Sequence, residues 1–326
     1  MFRYRYLPTM GLLSPAEAKA KAELVRAAAA LKKKREKRFK PVVAAKTKPR
    51  VAKPRSGVYF QSRGKHKCVK VDGQSQKGVH NALKRSLYPA WNYDKAQKAG
   101  LLTSHPLPPH QIVVSADGFV AKPYKYPPGA AKAQGIGLDR ELSSITDMHV
   151  KLGVPLHAFV NTEFRDRYLK LNLTKAQGTK LRNLANRMKQ TTGNAVLFLI
   201  KCQLEPVATQ VVVAHMGVGT NIDMLVRDST GAMRVLEFKL DCSTSFGQRG
   251  LVMKAPYAGK EFTTHSHYLL QTLLNHQLYK CCIAMPKGLT VGSPLLVRCE
   301  ARGTYAYELP AWVLAGASQL LPRLSR

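Results

Sequence analysis

The stretch GTNIDMLVRDSTGAMRVLEFKLD, residues 219–241, places carboxylates inside apolar runs of a chain that has few of them. The 326 residues hold 52 Lys and Arg against 19 Asp and Glu, a formal charge of +33. Two apolar segments, 221–227 and 233–240, flank the turn-forming DSTG, which is the pattern of a hairpin. Side chains alternate along a strand, so Glu237 and Lys239 share one face of VLEFKL while Leu236 and Phe238 point to the other. Asp223, on the preceding strand, comes beside Glu237 across the hairpin. Two carboxylates and a lysine so placed can hold a divalent cation through oxygen, orient a water and stabilise developing charge. That is the chemistry of phosphodiester hydrolysis. An E-x-K on a strand also arises by chance, and Asp223 also reads as a strand-end turn residue; spacing leaves both readings open.

The surroundings extend the pattern. Thr174 and Gln177 form a capping box opening a helix to about Lys189. Further strands are expected at 194–203 and 207–215, then a helix from Thr264 to Cys282 and a hairpin of 294–301 with 303–309 around ARGT. PAWVLAGASQLL closes as a helix. The fold class is therefore α/β, a core of helix, mixed β-sheet, helix and β-hairpin, and a hydrophobic fraction of 45% is enough to bury it.

This order, with G-T-N-I-D, a turn, an apolar-E-x-K strand and a Gln-bearing helix, resembles the PD-(D/E)xK nuclease superfamily. It is most similar to the RecB-like branch that includes mitochondrial genome maintenance exonucleases. The resemblance covers about residues 174–309. It implies a metal-binding Asp223, a second acidic ligand in Glu237, a catalytic Lys239, and Gln271 as the helix glutamine in HYLLQTLLNHQLYK. Asn275 stands where that helix usually has Tyr. The branch also opens with a helix of the form G-T-x-x-H-x-x-x-E. GTKLRNLANRM keeps Gly178 and Thr179, but Arg182 replaces the His and Asn186 the Glu. Glu163 is a candidate substitute for the lost acid. The implied Mg²⁺ site is thus short of a carboxylate, and an arginine competes with the metal for Asp223 or Glu237. The resemblance reads as a retired active site without a cofactor, with Mg²⁺ needed only if catalysis survives.

Charge divides the chain. Residues 1–70 carry 21 Lys and Arg against Glu17, Glu23 and Glu36. A helix capped by Ser14 and Glu17 runs towards LKKKREKRFK, followed by a Pro-broken basic tail. A run this long and one-signed is suited to neutralising phosphates, so Lys32, Lys33, Lys34, Arg35, Lys37, Arg38, Lys40, Lys48, Arg50, Lys53, Arg55, Arg63, Lys65 and Lys67 are the candidate nucleic-acid contacts. Residues 71–140, with HPLPPHQIVV and KPYKYPPGAAKAQGIG, read as a Pro-rich peripheral segment with one short helix in VHNALKRSLYPAW, leaving 141–326 as the nuclease-like domain. Six scattered cysteines form no C-x-x-C pair, and the histidines form no H-E-x-x-H, so a zinc site has no support. No apolar run is long enough to cross a bilayer. MFRYRYLPTMGLL resembles a mitochondrial presequence, and the arm is similar to those of mitoribosomal proteins. These features lead to an expectation: a structural protein of a mitochondrial ribosome in the matrix, with ribosomal RNA and neighbouring ribosomal proteins as partners. No membrane and no small-molecule substrate are expected. An active Mg²⁺-dependent exonuclease and a ribosome assembly factor remain the alternatives.

Overall fold

Seven strands build the sheet that carries the 219–241 stretch, in a computed structural model that describes residues 57–63, 66–107, 112–115, 137–240 and 244–324. In chain order, β1 (Val58–Arg63) and β2 (His66–Val71) form an antiparallel hairpin extended by β3 (Gln74–Ser75). β4 (Lys77–Gly78) leads into α1 (Val79–Leu87), α2 (Tyr93–Lys98), β5 (Leu102–His105) and β6 (Ile112–Ser115). Five helices follow: α3 (Leu138–Leu152), α4 (His157–Val160), α5 (Thr162–Asn172), α6 (Lys175–Arg187) and α7 (Gln190–Lys201). Then come β7 (Glu205–His215), β8 (Val218–Arg227), β9 (Met233–Leu240), β10 (Ser245–Val252) and β11 (Glu261–Thr263). α8 (Thr264–Tyr279) runs into a π-helical turn, Lys280–Ala284. The hairpin of β12 (Leu295–Cys299) and β13 (Gly303–Glu308) precedes α9 (Ala311–Ala315) and α10 (Ala317–Leu324).

The large sheet has the order β4-β8-β9-β12-β13-β6, with β7 paired to β8. β9 and β12 run parallel while β7, β8 and β9 form a meander, so the sheet is mixed. Period-two alternation sorts its side chains between two cores. Met224, Val226, Leu236 and Phe238 face the layer of α3 to α7, with Phe159, Leu181 and Phe198. Leu225, Met233 and Val235 face α1, α8 and the C-terminal helices, with Leu83, Leu270, Leu274 and Leu321. This α/β arrangement follows the expected order of helix, mixed sheet, helix and hairpin.

The clearest differences from the sequence reading fall in three segments. The expected strand at 194–203 is helix α7. Its apolar run is buried nearly all round, with Thr192 to Val196, Phe198 and Leu199 inaccessible, so no amphipathic period marks it as helical. Residues 58–70, placed in the basic tail, form the β1–β2 hairpin together with Val71, and Val69 lies so close to Gly219 that a Cβ there would stand 2.8 Å away. Residues 71–140, read as peripheral, supply β4 and β6 to the large sheet and β5 to the sheet of β10 and β11. Strands of two to four residues hold too few side chains to display a period. The helix expected from Ser14, and the basic residues from Lys32 to Arg55 together with Lys65, lie outside the described residues. Among the described helices none is long and apolar enough to cross a membrane.

Candidate functional site

The β8–β9 ladder runs from Arg227 opposite Met233 to Met224 opposite Leu236, and stops. The next residues are Asp223 and Glu237. There Phe238 N–H donates to Asp223 Oδ2 at 2.9 Å. A side-chain carboxylate replaces the carbonyl that would have continued the ladder, and the strands part. β9 stays with β12 through Lys239 and Leu240, while β4 takes up β8 again at Val218 and Gly219. On β7, Gln210 at the register position opposite Asp223 has a φ of 53°, a left-handed conformation costing a non-glycine residue about 1–2 kcal/mol.

Helix α8 lies across this fork. It starts where Thr263 and Ser266 make a reciprocal capping box, which fixes the rotation of the helix over the sheet. One turn apart, Gln271 Nε2 donates to Glu237 Oε1 at 2.6 Å and Asn275 Nδ2 donates to Oε2 at 2.7 Å. Lys239 Nζ completes the set at 2.7 Å from Oε1 and sits 4.8 Å from the Tyr268 ring centre. Glu237 is 2% exposed, so these three donors replace nearly all of its hydration.

Burial pushes the Asp223 carboxyl well above the ordinary carboxylate range, and Glu237 then Asp139 push it further against Lys239 and the Phe238 N–H. Burial pulls Lys239 down, but the Glu237 charge and hydrogen bond, with Asp223 and Tyr268, outweigh it and leave the ammonium above its usual value. Lys239 is thus a committed cation, not a free base. Next to it is an imidazole pair: His80 Nδ1 lies 2.9 Å from His267 Nε2, and Tyr88 hydroxyl makes a short bond to His267 Nδ1. Burial first, then His80 and Lys239, bring His267 down to about 3. Near neutral pH this pair adds no positive charge.

A divalent cation needs oxygens with open lone pairs. Here Oε1 of Glu237 serves two donors, Oε2 one, and Oδ2 of Asp223 one. Lys239 supplies the charge a metal would bring. Glu237 is thus largely occupied while Asp223 spends a single acceptor site, and among the described residues no cluster of three or more His, Cys, Asp or Glu is placed to hold a metal.

Asp223, Glu237, Lys239 and Gln271, singled out in the sequence, thus converge. Arg182 and Asn186 do not join them: both are exposed on α6, which covers α3 and α4, and Arg182 lends its field to Arg165. The bridge expected from Arg182 to a site carboxylate is replaced by the two amides of α8. Glu163 is exposed on α5. Arg63 and Lys67 lie on β1 and β2. Asp139, at the start of α3, and the His80–Tyr88–His267 group escaped the sequence reading. His267 lies on α8 four residues before Gln271, but its partners His80 and Tyr88 come from α1 and its C-terminal end and Asp139 from α3, so no spacing signal links them.

No protein-family model matches the chain, and no curated protein matches it. Among solved structures it is similar to "Putative exonuclease" from Eubacterium rectale, with 11% identity and a TM-score of 0.24 over 56% of this chain and 65% of that one. The chain therefore spans just under two thirds of that protein. It is also similar to the protein SSO0001, with 13% identity and a TM-score of 0.20 over 57% of this chain and 84% of that one.

Proposed function

We propose that this chain is a non-catalytic RNA-binding protein built on a PD-(D/E)xK-like core, serving as a structural component of a mitochondrial ribosome in the matrix. One observation carries the catalytic half of the reading: Glu237, the carboxylate that would be a metal ligand, is filled by Lys239, Gln271 and Asn275. Asn275 contributes most to the argument, since it stands where the RecB-like branch has Tyr and spends its amide on the second oxygen of Glu237. The RNA-binding half rests on the formal charge of +33 and on the one-signed basic arm.

Two measurements test the halves separately. Purified protein is expected to cleave labelled single- and double-stranded substrates with Mg²⁺ or Mn²⁺ no faster than an Asp223→Ala control. Robust cleavage by the wild type, abolished by Lys239→Ala, would return the protein to the nucleases. Sucrose-gradient sedimentation of matrix extract is expected to carry the protein with a ribosomal subunit; recovery only at the top of the gradient would sink the ribosomal assignment. The observation that favours the nuclease alternative is the convergence of Asp223, Glu237, Lys239 and Gln271 at the fork.

A further inference from the structure

We infer that the cavity between the start of α8 and the end of β13 is a binding site for an arginine side chain presented by a basic partner protein. The cavity has a volume of about 380 Å³, within the size range of ligand pockets. Its walls are Trp312, Tyr307 and Leu269, and its mouth carries Glu261 and Glu308.

Four features converge on a guanidinium. Acids are scarce in this chain, yet two of its 19 line one cavity, both exposed. Neither Glu261 nor Glu308 takes part in an ion pair among the described residues, although Lys260 lines the same rim. Aromatic rings with adjacent carboxylates suit a planar cation, which stacks on the rings and forks its N–H groups onto oxygens. His265 supplies the fourth feature. It is 7% exposed, lines the cavity with its ring 4.9 Å from that of Tyr307, and its Nε2 has no partner. Burial, and then Arg298, hold His265 down to about 4, so the imidazole does not repel a cation at neutral pH. The positive charge of Arg298 is itself held by Glu300, behind Tyr307. Two carboxylates at the mouth oppose the phosphate that would accompany a nucleobase, which makes the nucleotide reading the less favoured one.

The chain has two tryptophans, Trp91 and Trp312, so 5-fluorotryptophan labelling gives two resonances, assigned with Trp91→Phe. Titration of the full-length protein with N-acetyl-argininamide is expected to move the Trp312 signal and leave Trp91 in place, saturating at millimolar concentration. N-acetyl-citrullinamide, the neutral isostere, is expected to give no shift. The Glu261→Gln/Glu308→Gln variant, altered only at exposed positions, is expected to lose at least tenfold in affinity while keeping its Tm. The proposal is overturned by an equal response to citrullinamide, by unchanged affinity in the double variant, or by silence at Trp312. A Trp312 shift with a nucleoside monophosphate but not with the arginine probe would make the cavity a base pocket instead. Sedimentation equilibrium distinguishes the source of the arginine. Wild type and variant are expected to share one mass, and a dimer lost in the variant would assign the arginine to a second copy and overturn the separate partner.

Discussion

At Glu237 an ionised side chain is held out of water by one cation and two amides, an arrangement whose parts are not separately dispensable. Lys239→Met removes the positive charge that, among the described residues, is paired with a carboxylate 2% exposed. A buried ion left without its partner costs about 3–5 kcal/mol, and urea denaturation is expected to show a loss of that size. Adding Glu237→Leu removes the stranded charge but leaves the amides of Gln271 and buried Asn275 without their acceptor, so the double variant is expected to recover only part of the loss and to stay about 1–3 kcal/mol below wild type. Failure to recover would mean that Glu237 contributes by more than pairing. Asp223 behaves oppositely. Its folded pKa is raised, so between the unfolded and folded values the native state holds the extra proton and stability falls as pH rises. Asp223→Asn retains an acceptor for Phe238 N–H without that penalty. It is expected to raise Tm by about 2–4 °C at pH 8, the equivalent of about 1 kcal/mol, with the gain vanishing towards pH 4. The four central site residues were legible because strand parity and one hairpin fix three of them and α8 brings the fourth. Asn275 and Asp139 were not, because their contributions depend on how far a helix is rotated over the sheet.

Among the elements, α7 shows where local reading fails. Leu197, Phe198, Leu199 and Ile200 make a short apolar run that a buried strand or a buried helix could equally contain. What decides in favour of the helix is Asn194, fully buried, whose amide donates to Glu300 O at 2.8 Å and to Ala301 O at 3.1 Å. Gln190, one turn earlier, donates back to its oxygen at 2.9 Å. The helix is thus stitched to the turn between β12 and β13, and the partners stand too far apart along the chain for any sequence window to contain both. Asn194→Ala is expected to cost about 1–3 kcal/mol, since two buried carbonyls would be left without their donor; a cost below about 0.5 kcal/mol would show that water or a shifted turn replaces it. Elements with their own terminal chemistry were legible by contrast. Thr174 and Gln177 open α6 as their spacing required, and Thr263 and Ser266 open α8. The C-terminal helix expected as one is divided at Gly316, where a Cβ would stand 2.5 Å from the Tyr257 ring.

For the molecule as a whole, charge and topology act on different properties. His265 and His267 are buried and His276 is half-buried, and burial holds them down to about 4, 3 and 4. Below the ordinary histidine value the unfolded chain takes up protons the native state refuses, so stability is lost as pH falls, by up to about 1.4 kcal/mol per pH unit for each. Asp223 and Glu141, both raised, oppose this only partly. Urea midpoints are expected to fall between pH 7 and pH 5, and a rise over that interval would contradict the neutral state of the three rings. Removing residues 1–53 spares the β1–β2 hairpin and is expected to leave Tm unchanged while flattening the dependence of log K for RNA on log salt. The slope should shrink by about 0.7 for each phosphate of single-stranded RNA that the arm no longer neutralises. Unaltered slope and affinity would place RNA binding on the folded unit. The topology bears on the birth of the chain. β6 has its partner in β13, with Ser115 opposite Gly303, and β9 has its parallel partner in β12. At about 5–20 residues per second the ribosome takes roughly 10–40 s to deliver the second member of the β6–β13 pair after the first. Throughout that interval an unpaired strand is on offer to any other nascent chain, so the hazard of aggregation is set by the order in which the strands are made, and the need for a holding chaperone with it.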